Sequence, residues 1–414
     1  MWQPQSHFIS GVCVNPLLGK GNERETDGTM ELTTTTAALA EFCTRAATRD
    51  FVTVDTEFLR ETTYWPKLCL VQAATEDEAI LIDPLAPGLD LAPLFELLAN
   101  PAVTKVFHAA RQDIEIFVKL TGAVPNNIFD TQIAASVCGY GDSASYDSLV
   151  RAIVGTEIDK SSRFTDWSAR PLTEKQRLYA LADVTHLRVI YRALVEKIGE
   201  MDRWDWVEDE MSLLTHIGTY IVNPEEAWER LRLRLNKPRD LAALKALAAW
   251  REQRAQDNDQ PRGRIIKDDA LGELALQRPT SPEAFDKLRA VPRGFGRSSA
   301  GGEIIALLKA IEALPKSELP ILPQKPGGPS PKGAVGDLIR VLLKAVSEQH
   351  GVAARILANS DDIDALVLDD NADIPALKGW RRKLFGDKAL AIKHGRIGLA
   401  ATRQGIVEIP FRES

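Results

Sequence analysis

Residues 51–58, Phe-Val-Thr-Val-Asp-Thr-Glu-Phe, place two carboxylates, Asp55 and Glu57, two positions apart inside an apolar, β-branched run. Such a run reads as a buried strand, and strand side chains alternate faces, so both acids point the same way. Burying an unpartnered carboxylate is very costly, so a pair aimed together out of an apolar strand calls for cations between them. Two more acids lie downstream: Asp113 in Phe107-His-Ala-Ala-Arg-Gln-Asp-Ile-Glu-Ile-Phe117 and Asp183 in Tyr179-Ala-Leu-Ala-Asp-Val-Thr-His186. Four hard oxygen donors suit Mg²⁺ or Mn²⁺ far better than zinc, which favours histidine and cysteine.

Two further short apolar runs, 67–74 and 79–83, follow the first at a spacing that suggests adjacent, hairpin-connected strands. After them the pattern reads as a helix near 91–99, a strand at 103–107, a helix from about 110 to 120, a short run at 128–130, and helices to about 198. Three consecutive strands followed by alternating strands and helices describe an α/β domain, a mixed sheet with helices on both faces. From about residue 225 the strand signals vanish. Leu241–Trp250 carries apolar residues at helical spacing, residues 314–332 are dense in Pro and Gly, and helical patterns resume at 335–346 and 353–368. The expected layout is an α/β domain over 30–224, an all-helical domain over 225–314, a linker over 315–332, a second all-helical domain over 333–400 and a tail over 401–414. Residues 1–29 lack periodicity and the marks of a signal or transit peptide, and are expected to be disordered. Met30, directly before a plausible first helix, is an alternative start.

No window approaches the ~20 unbroken apolar residues of a membrane span, so no membrane partner is expected. The four cysteines, Cys13, Cys43, Cys69 and Cys138, are far apart and form no Cys-x-x-Cys pair. That argues against a disulfide framework or a zinc site and for a reducing cytoplasm. The net charge of −7 is unevenly spread: residues 30–224 hold 29 acidic against 17 basic side chains, whereas 225–314 hold 17 basic against 14 acidic. Residues 332–400 are also mildly basic, 11 against 9. Bound divalent ions would neutralise part of the acidic domain, and the basic remainder suits approach to a polyanion.

Tyr179 and Asp183 stand four residues apart, which on a helix sets a phenol one turn from a carboxylate. Alone this reads more readily as a core tyrosine beside an exposed acid, and Asp113 alone reads as a helix cap. Asp130, after a short strand and before a helix, is expected to be an N-cap without chemistry. His108 and His186 are isolated and read as structural.

Together these patterns are far more specific. The run Asp55-Thr-Glu-Phe-Leu-Arg-Glu-Thr-Thr-Tyr-Trp-Pro-Lys-Leu-Cys-Leu-Val-Gln72 resembles the first exonuclease motif of the ribonuclease D family. The segments 107–113 and 179–183 resemble its second and third motifs, in order, and 129–135 and 167–179 also look like that family. The resemblance implies a DEDD exonuclease with a ribonuclease H-like sheet, in the subclass marked by tyrosine, here Tyr179. It also implies two C-terminal HRDC domains, the first carried by Pro224-Glu-Glu-Ala-Trp228, Ala249-Trp-Arg-Glu252 and Ile266-Lys-Asp-Asp269. The second rests mainly on Gly379-Trp-Arg-Arg382. The expected activity is 3′–5′ hydrolysis of structured RNA, with tRNA precursors the family-implied substrate. Asp55, Glu57, Asp113 and Asp183 would hold two divalent ions, Mg²⁺ or Mn²⁺, Tyr179 would orient the attacking water, and Phe58 and Trp167 are candidates for stacking on bases. The rivals are a DNA exonuclease of proofreading type and a non-catalytic nucleic-acid scaffold.

Overall fold

Valine, threonine and phenylalanine make β2 (Phe51–Leu59) a nine-residue strand at the centre of a six-stranded sheet. The computed structural model describes residues 31–231, 233, 235–322 and 333–411; the expected disordered extension and linker residues 323–332 lie outside the described residues. β2 pairs antiparallel with β3 (Lys67–Ala74), which pairs antiparallel with β4 (Ala79–Ile82), as the short spacing of these runs predicts. A two-residue strand, β1 (Leu32–Thr33), joins β4 in parallel. On its other side β2 pairs in parallel with β5 (Thr104–Phe107), and β5 in parallel with β6 (Ile128–Asp130). β1 thus precedes the helix expected immediately after Met30.

Parallel neighbours need crossover connections, and helices supply them. α1 (Thr36–Ala46) leads into β2, α2 (Ala92–Ala99) into β5 and α3 (Arg111–Thr121) into β6. Then come α4 (Thr131–Val137), the single turn α5 (Tyr146–Leu149), the 28-residue α6 (Glu174–Met201) and α7 (Trp204–Thr215). A reciprocal capping box between Thr173 and Gln176 starts α6, which packs across β2, β3 and β4. Its apolar stripe, including Leu187, Ile190, Leu194 and Ile198, joins Val52, Val54 and Phe107 in the main core.

Two more apolar cores lie downstream. α8 (Pro238–Asp257), α9 (Arg262–Ile265), α10 (Asp268–Gln277), α11 (Pro282–Phe285) and α12 (Ser299–Ala313) bury Leu247, Leu271, Phe285 and Leu308. α13 (Ala334–His350), α14 (Ala354–Leu357), α15 (Ser360–Leu368), α16 (Gly379–Arg381) and α17 (Asp387–Lys393) bury Ile339, Leu342, Leu366 and Phe385. The helical pattern of 353–368 is split because Asn359 accepts the N–H groups of Asp361 and Asp362 and starts α15 afresh. The expectation of no strands beyond 225 is overturned by a hairpin, β7 (Ile397–Thr402) and β8 (Gly405–Pro410), over the expected tail. Its six-residue runs include Gly and Ala and bury little, so their pattern is weak; the backbone bonds of the partner strand make the element.

Both helical domains grip the α/β domain through polar contacts. Tyr64, 5% exposed, sits in the loop after β2 and donates its hydroxyl to Glu252 of α8, itself 1% exposed. Arg262 grips both oxygens of Glu252 at 2.5 Å, and Asp259 accepts the N–H groups of Tyr64 and Trp65 at 3.1 and 2.9 Å. On the other helical domain, Trp380 stacks on Trp206 of α7 with centroids 4.2 Å apart, and Arg381 pairs with Asp209 and Glu210 of α7. Two of the Gly379–Arg382 residues that carry the second HRDC resemblance, Trp380 and Arg381, are thus engaged in an internal interface.

Replacing Glu252 by Ala strands a guanidinium and a phenol in that first interface. The loss is smaller than the about 3–5 kcal/mol of a fully buried pair, because the Arg262 side chain is 33% exposed. Faster amide exchange is expected in residues 60–66 and in α9, measured by hydrogen–deuterium exchange. Unchanged protection there would remove Glu252 as the fastening point.

Candidate active site

Different elements deliver each acid to one cleft. Asp55 and Glu57 lie on the β2 face shared with Thr53, whose hydroxyl donates to the Val184 carbonyl of α6 at 2.9 Å. The β2–β3 register slips between Glu57 and Phe58, a bulge of the kind that re-aims side chains beside functional sites. Asp183 comes from α6, where the Tyr146 hydroxyl donates to the carbonyls of Ala182 and Asp183 at 2.9 and 2.7 Å. Carboxylate oxygens of Asp55, Glu57 and Asp183 all lie within 4.8 Å of one another.

Asp113, in the first turn of α3, stands outside that trio and accepts the hydroxyl of Thr56, which strand alternation turns to the opposite face from Asp55. Its position depends on Asp130, the expected N-cap. The Asp130 carboxylate accepts not only Gln132 N–H, at 2.8 Å, but also those of Ala109 and Ala110, at 3.0 and 2.9 Å. Ala109 has φ 58°, a left-handed turn that alanine adopts at a cost, and the Asp130 bonds hold it at the entry to α3.

The electrostatics show what the cleft lacks. Burial raises all four carboxyl groups above the usual range: Asp55 to about 7, and Glu57 to about 10 with further contributions from Asp55, Asp183 and Asp113. Burial followed by the Asp55 charge does the same to Asp113 and Asp183, partly offset by hydrogen bonds from Thr56 and Tyr179 respectively. Among the described residues none of the four forms an ion pair. A recessed, all-oxygen acid cluster without an ion-pair partner, only partly offset by the Arg163 charge, is the donor set that hard divalent cations take. Burial, then Asp183, Glu57 and Asp55, raises the Tyr179 phenol, so its hydroxyl stays protonated at neutral pH.

The cleft measures about 620 Å³ and is also lined by His108, Gln112, Tyr146, Lys160, Arg163, Phe164 and Trp167. His108 is half-buried and bonded to Thr131 at 3.0 Å, and desolvation lowers it to about 4, so it is a neutral wall residue; His186 lies outside this lining. Phe58 lies partly buried at the cleft wall, packed against the main core. Trp167, a candidate either for stacking on a base or for the core, is 2% exposed and packed among Cys69, Leu70, Leu81 and Ala180, leaving no open face. The bidentate Arg170–Asp83 pair, at 2.8 and 2.6 Å, and the Arg170 bond to the Trp167 carbonyl close the ring into that wall. Thr56, Tyr146, Arg163 and Phe164 went unnoticed in the sequence. Their parts depend on contacts across 36 or more positions, as for Tyr146, or on a loop without periodicity.

A strand-borne acid pair meeting an acid and a tyrosine one turn apart on a long helix defines the class, a DEDD 3′–5′ exonuclease. The family model for 3′–5′ exonucleases matches residues 30–199, and that for the HRDC domain matches residues 240–308. A ribonuclease D from Nitrobacter hamburgensis is 51% identical over 380 residues, 92% of this chain and 99% of the relative. One from Gluconacetobacter diazotrophicus is 48% identical over 379 residues, 92% and 96% of the two chains. The crystal structure of Escherichia coli RNase D, described as an exoribonuclease involved in structured RNA processing, matches with a TM-score of 0.78. That match has 31% identity and covers 89% of this chain and 99% of that chain. The chain belongs to the ribonuclease D family and is a 3′–5′ exoribonuclease.

Proposed function

We propose that this exoribonuclease trims the 3′ ends of structured RNA, tRNA precursors first among them, releasing nucleoside 5′-monophosphates by two-metal-ion hydrolysis. The observation that carries this reading is the meeting of Asp55, Glu57 and Asp183 oxygens within 4.8 Å, with none of the three in an ion pair among the described residues. Asp55, Glu57 and Asp183, with Asp113 beside them, would hold the two divalent ions. Such ions supply the acidity that makes hydroxide and the charge that stabilises the departing 3′ oxygen. Tyr179, its hydroxyl protonated beside Asp183, orients the attacking water. Thr56 fixes the Asp113 carboxylate, and Tyr146 holds the turn of α6 that presents Asp183. Phe58 borders the path of the terminal base, while Trp167 supports the wall behind it.

The described processing of structured RNA by the E. coli relative supports the substrate class. The second helical domain reads as a divergent HRDC unit that serves to hold its place on α7. No helix among the described residues is long and apolar enough to cross a membrane, and the cytoplasm is the proposed setting.

Digesting 5′-labelled structured RNA and matched DNA with Mg²⁺ or Mn²⁺, with and without EDTA, tests the reading. A descending ladder of RNA products that EDTA abolishes is expected. Equal or faster degradation of DNA would favour a DNA exonuclease, and tight binding without hydrolysis would favour a scaffold.

A further inference from the structure

The cleft is lined by six carboxylates, the four of the acid cluster with Glu61 and Asp147, and by three cationic side chains, Arg60, Lys160 and Arg163, two of which are already committed. Arg60 is bidentate on Glu115 at 2.7 and 2.8 Å, and Lys160 pairs with Asp147 at 2.9 Å. Arg163 forms no ion pair among the described residues. Its guanidinium lies over the ring of Phe164, 5.2 Å from the centroid, and Phe164 is 90% exposed. An aromatic ring left almost wholly in water beside an unpaired guanidinium contributes little to the fold.

The loop carrying the pair is nonetheless firmly held. Ser162, directly before it, is 4% exposed, and Trp167, shortly after it, is 2% exposed. Thr165 donates its hydroxyl to the Ser162 carbonyl at 2.7 Å, and Gln176 of α6 donates to the Thr165 hydroxyl at 3.1 Å. Arg163 also overlooks the acids, since its charge counters the rise of Glu57, Tyr179 and Asp183. A fixed loop thus presents one free cation and one free aromatic face at the mouth of the acid cluster. Backbone phosphate and an unstacked base are the chemistry those two groups recognise.

We infer that Arg163 and Phe164 form a clamp for the unpaired 3′ end of the RNA, Arg163 on a backbone phosphate and Phe164 on the face of a base. The inference rests on the exoribonuclease reading of the cleft and adds a specificity to it. A base inside a duplex is stacked on both faces, so the clamp selects ends with an unpaired segment over blunt ones.

The test measures binding apart from hydrolysis. Fluorescence anisotropy in Mg²⁺ follows an RNA hairpin with a 3′ overhang whose terminal linkages are phosphorothioates, alongside a blunt hairpin of the same stem. Wild-type protein is expected to prefer the overhang. Phe164→Ala should weaken overhang binding about 5- to 150-fold, the range for loss of one base–aromatic stack, with blunt-hairpin binding nearly unchanged. Phe164→Trp should restore it. Arg163→Ala should reduce the slope of log affinity against log salt by about one phosphate contact, and Arg163→Lys should retain that slope. A merely structural role would shift the melting temperature and weaken both RNAs alike. Overhang affinity within twofold of wild type in both Ala variants, or equal losses on the two hairpins, overturns the clamp. Failure of the wild type to hydrolyse ordinary RNA would strike the exoribonuclease reading instead and leaves this binding comparison decisive.

Discussion

Asp113→Asn is expected to cut RNA hydrolysis by about a thousandfold or more while leaving the folded protein at least as heat-stable as its parent. Even residues that only hold a metal ligand in place cost about 10- to 100-fold when lost, and Asp113 is assigned as a ligand itself. The fold has little reason to suffer. Asparagine matches aspartate in size, and its Oδ1 accepts the Thr56 hydroxyl as the carboxylate does. Burial, then the Asp55 charge, raises the Asp113 carboxyl in the folded state. A raised carboxyl pKa means that ionisation opposes folding as pH rises above the unfolded value, so the uncharged amide removes that penalty at neutral pH. Activity and stability are thus expected to move in opposite directions, read from single-turnover hydrolysis and a metal-free melting curve. Wild-type turnover in this variant would dismiss Asp113 from the metal site, and a large drop in melting temperature would recast it as a structural cap.

Tyr179→Phe is expected to reduce kcat by about 10²- to 10⁴-fold, the range for a positioned proton-transfer or orienting group, with KM almost unaltered. The ring keeps its packing beside Trp167, with centroids 6.1 Å apart, so the change removes one oxygen and its hydrogen bond to Asp183. The raised phenol makes it a donor that orients water rather than a base that removes its proton. Steady-state kinetics on a short single-stranded oligoribonucleotide separate the two parameters. A fall in kcat below twofold returns Tyr179 to a packing role.

Much of this site is legible in sequence because its central relations are local. The two-residue period of β2 puts Asp55 and Glu57 on one face, and the helical period of α6 puts Tyr179 one turn from Asp183; neither needs knowledge of the fold. The three hairpin-linked strands are legible for the same reason. What is hidden depends on distant contacts. Asp130 reads as a simple cap, yet it also holds the turn at Ala109 because β6 lies beside β5. Trp167 reads as either a stacking or a core aromatic, and only the arrival of β3, β4 and α6 around it settles that it is buried. Trp380 and Arg381 read only as marks of a second HRDC unit, and their contact with α7 is invisible until the fold brings them together. The hairpin over 397–410 escapes because its pattern is weak until its strands meet.

The acid cluster sets an acidic cleft against an anionic substrate. Until cations enter, burial keeps Glu57 protonated and disfavours ionisation of the other three acids, and whatever charge Asp55, Asp113 and Asp183 carry repels the phosphate that must come to lie among them. Ion and RNA therefore cannot bind as independent events. Each improves the affinity of the other by the same factor, because the coupling free energy belongs to the pair. The supply of divalent ions is then expected to set not only the rate of cutting but how firmly an RNA end is retained, and a bound RNA end in turn to raise the affinity of the cleft for ions.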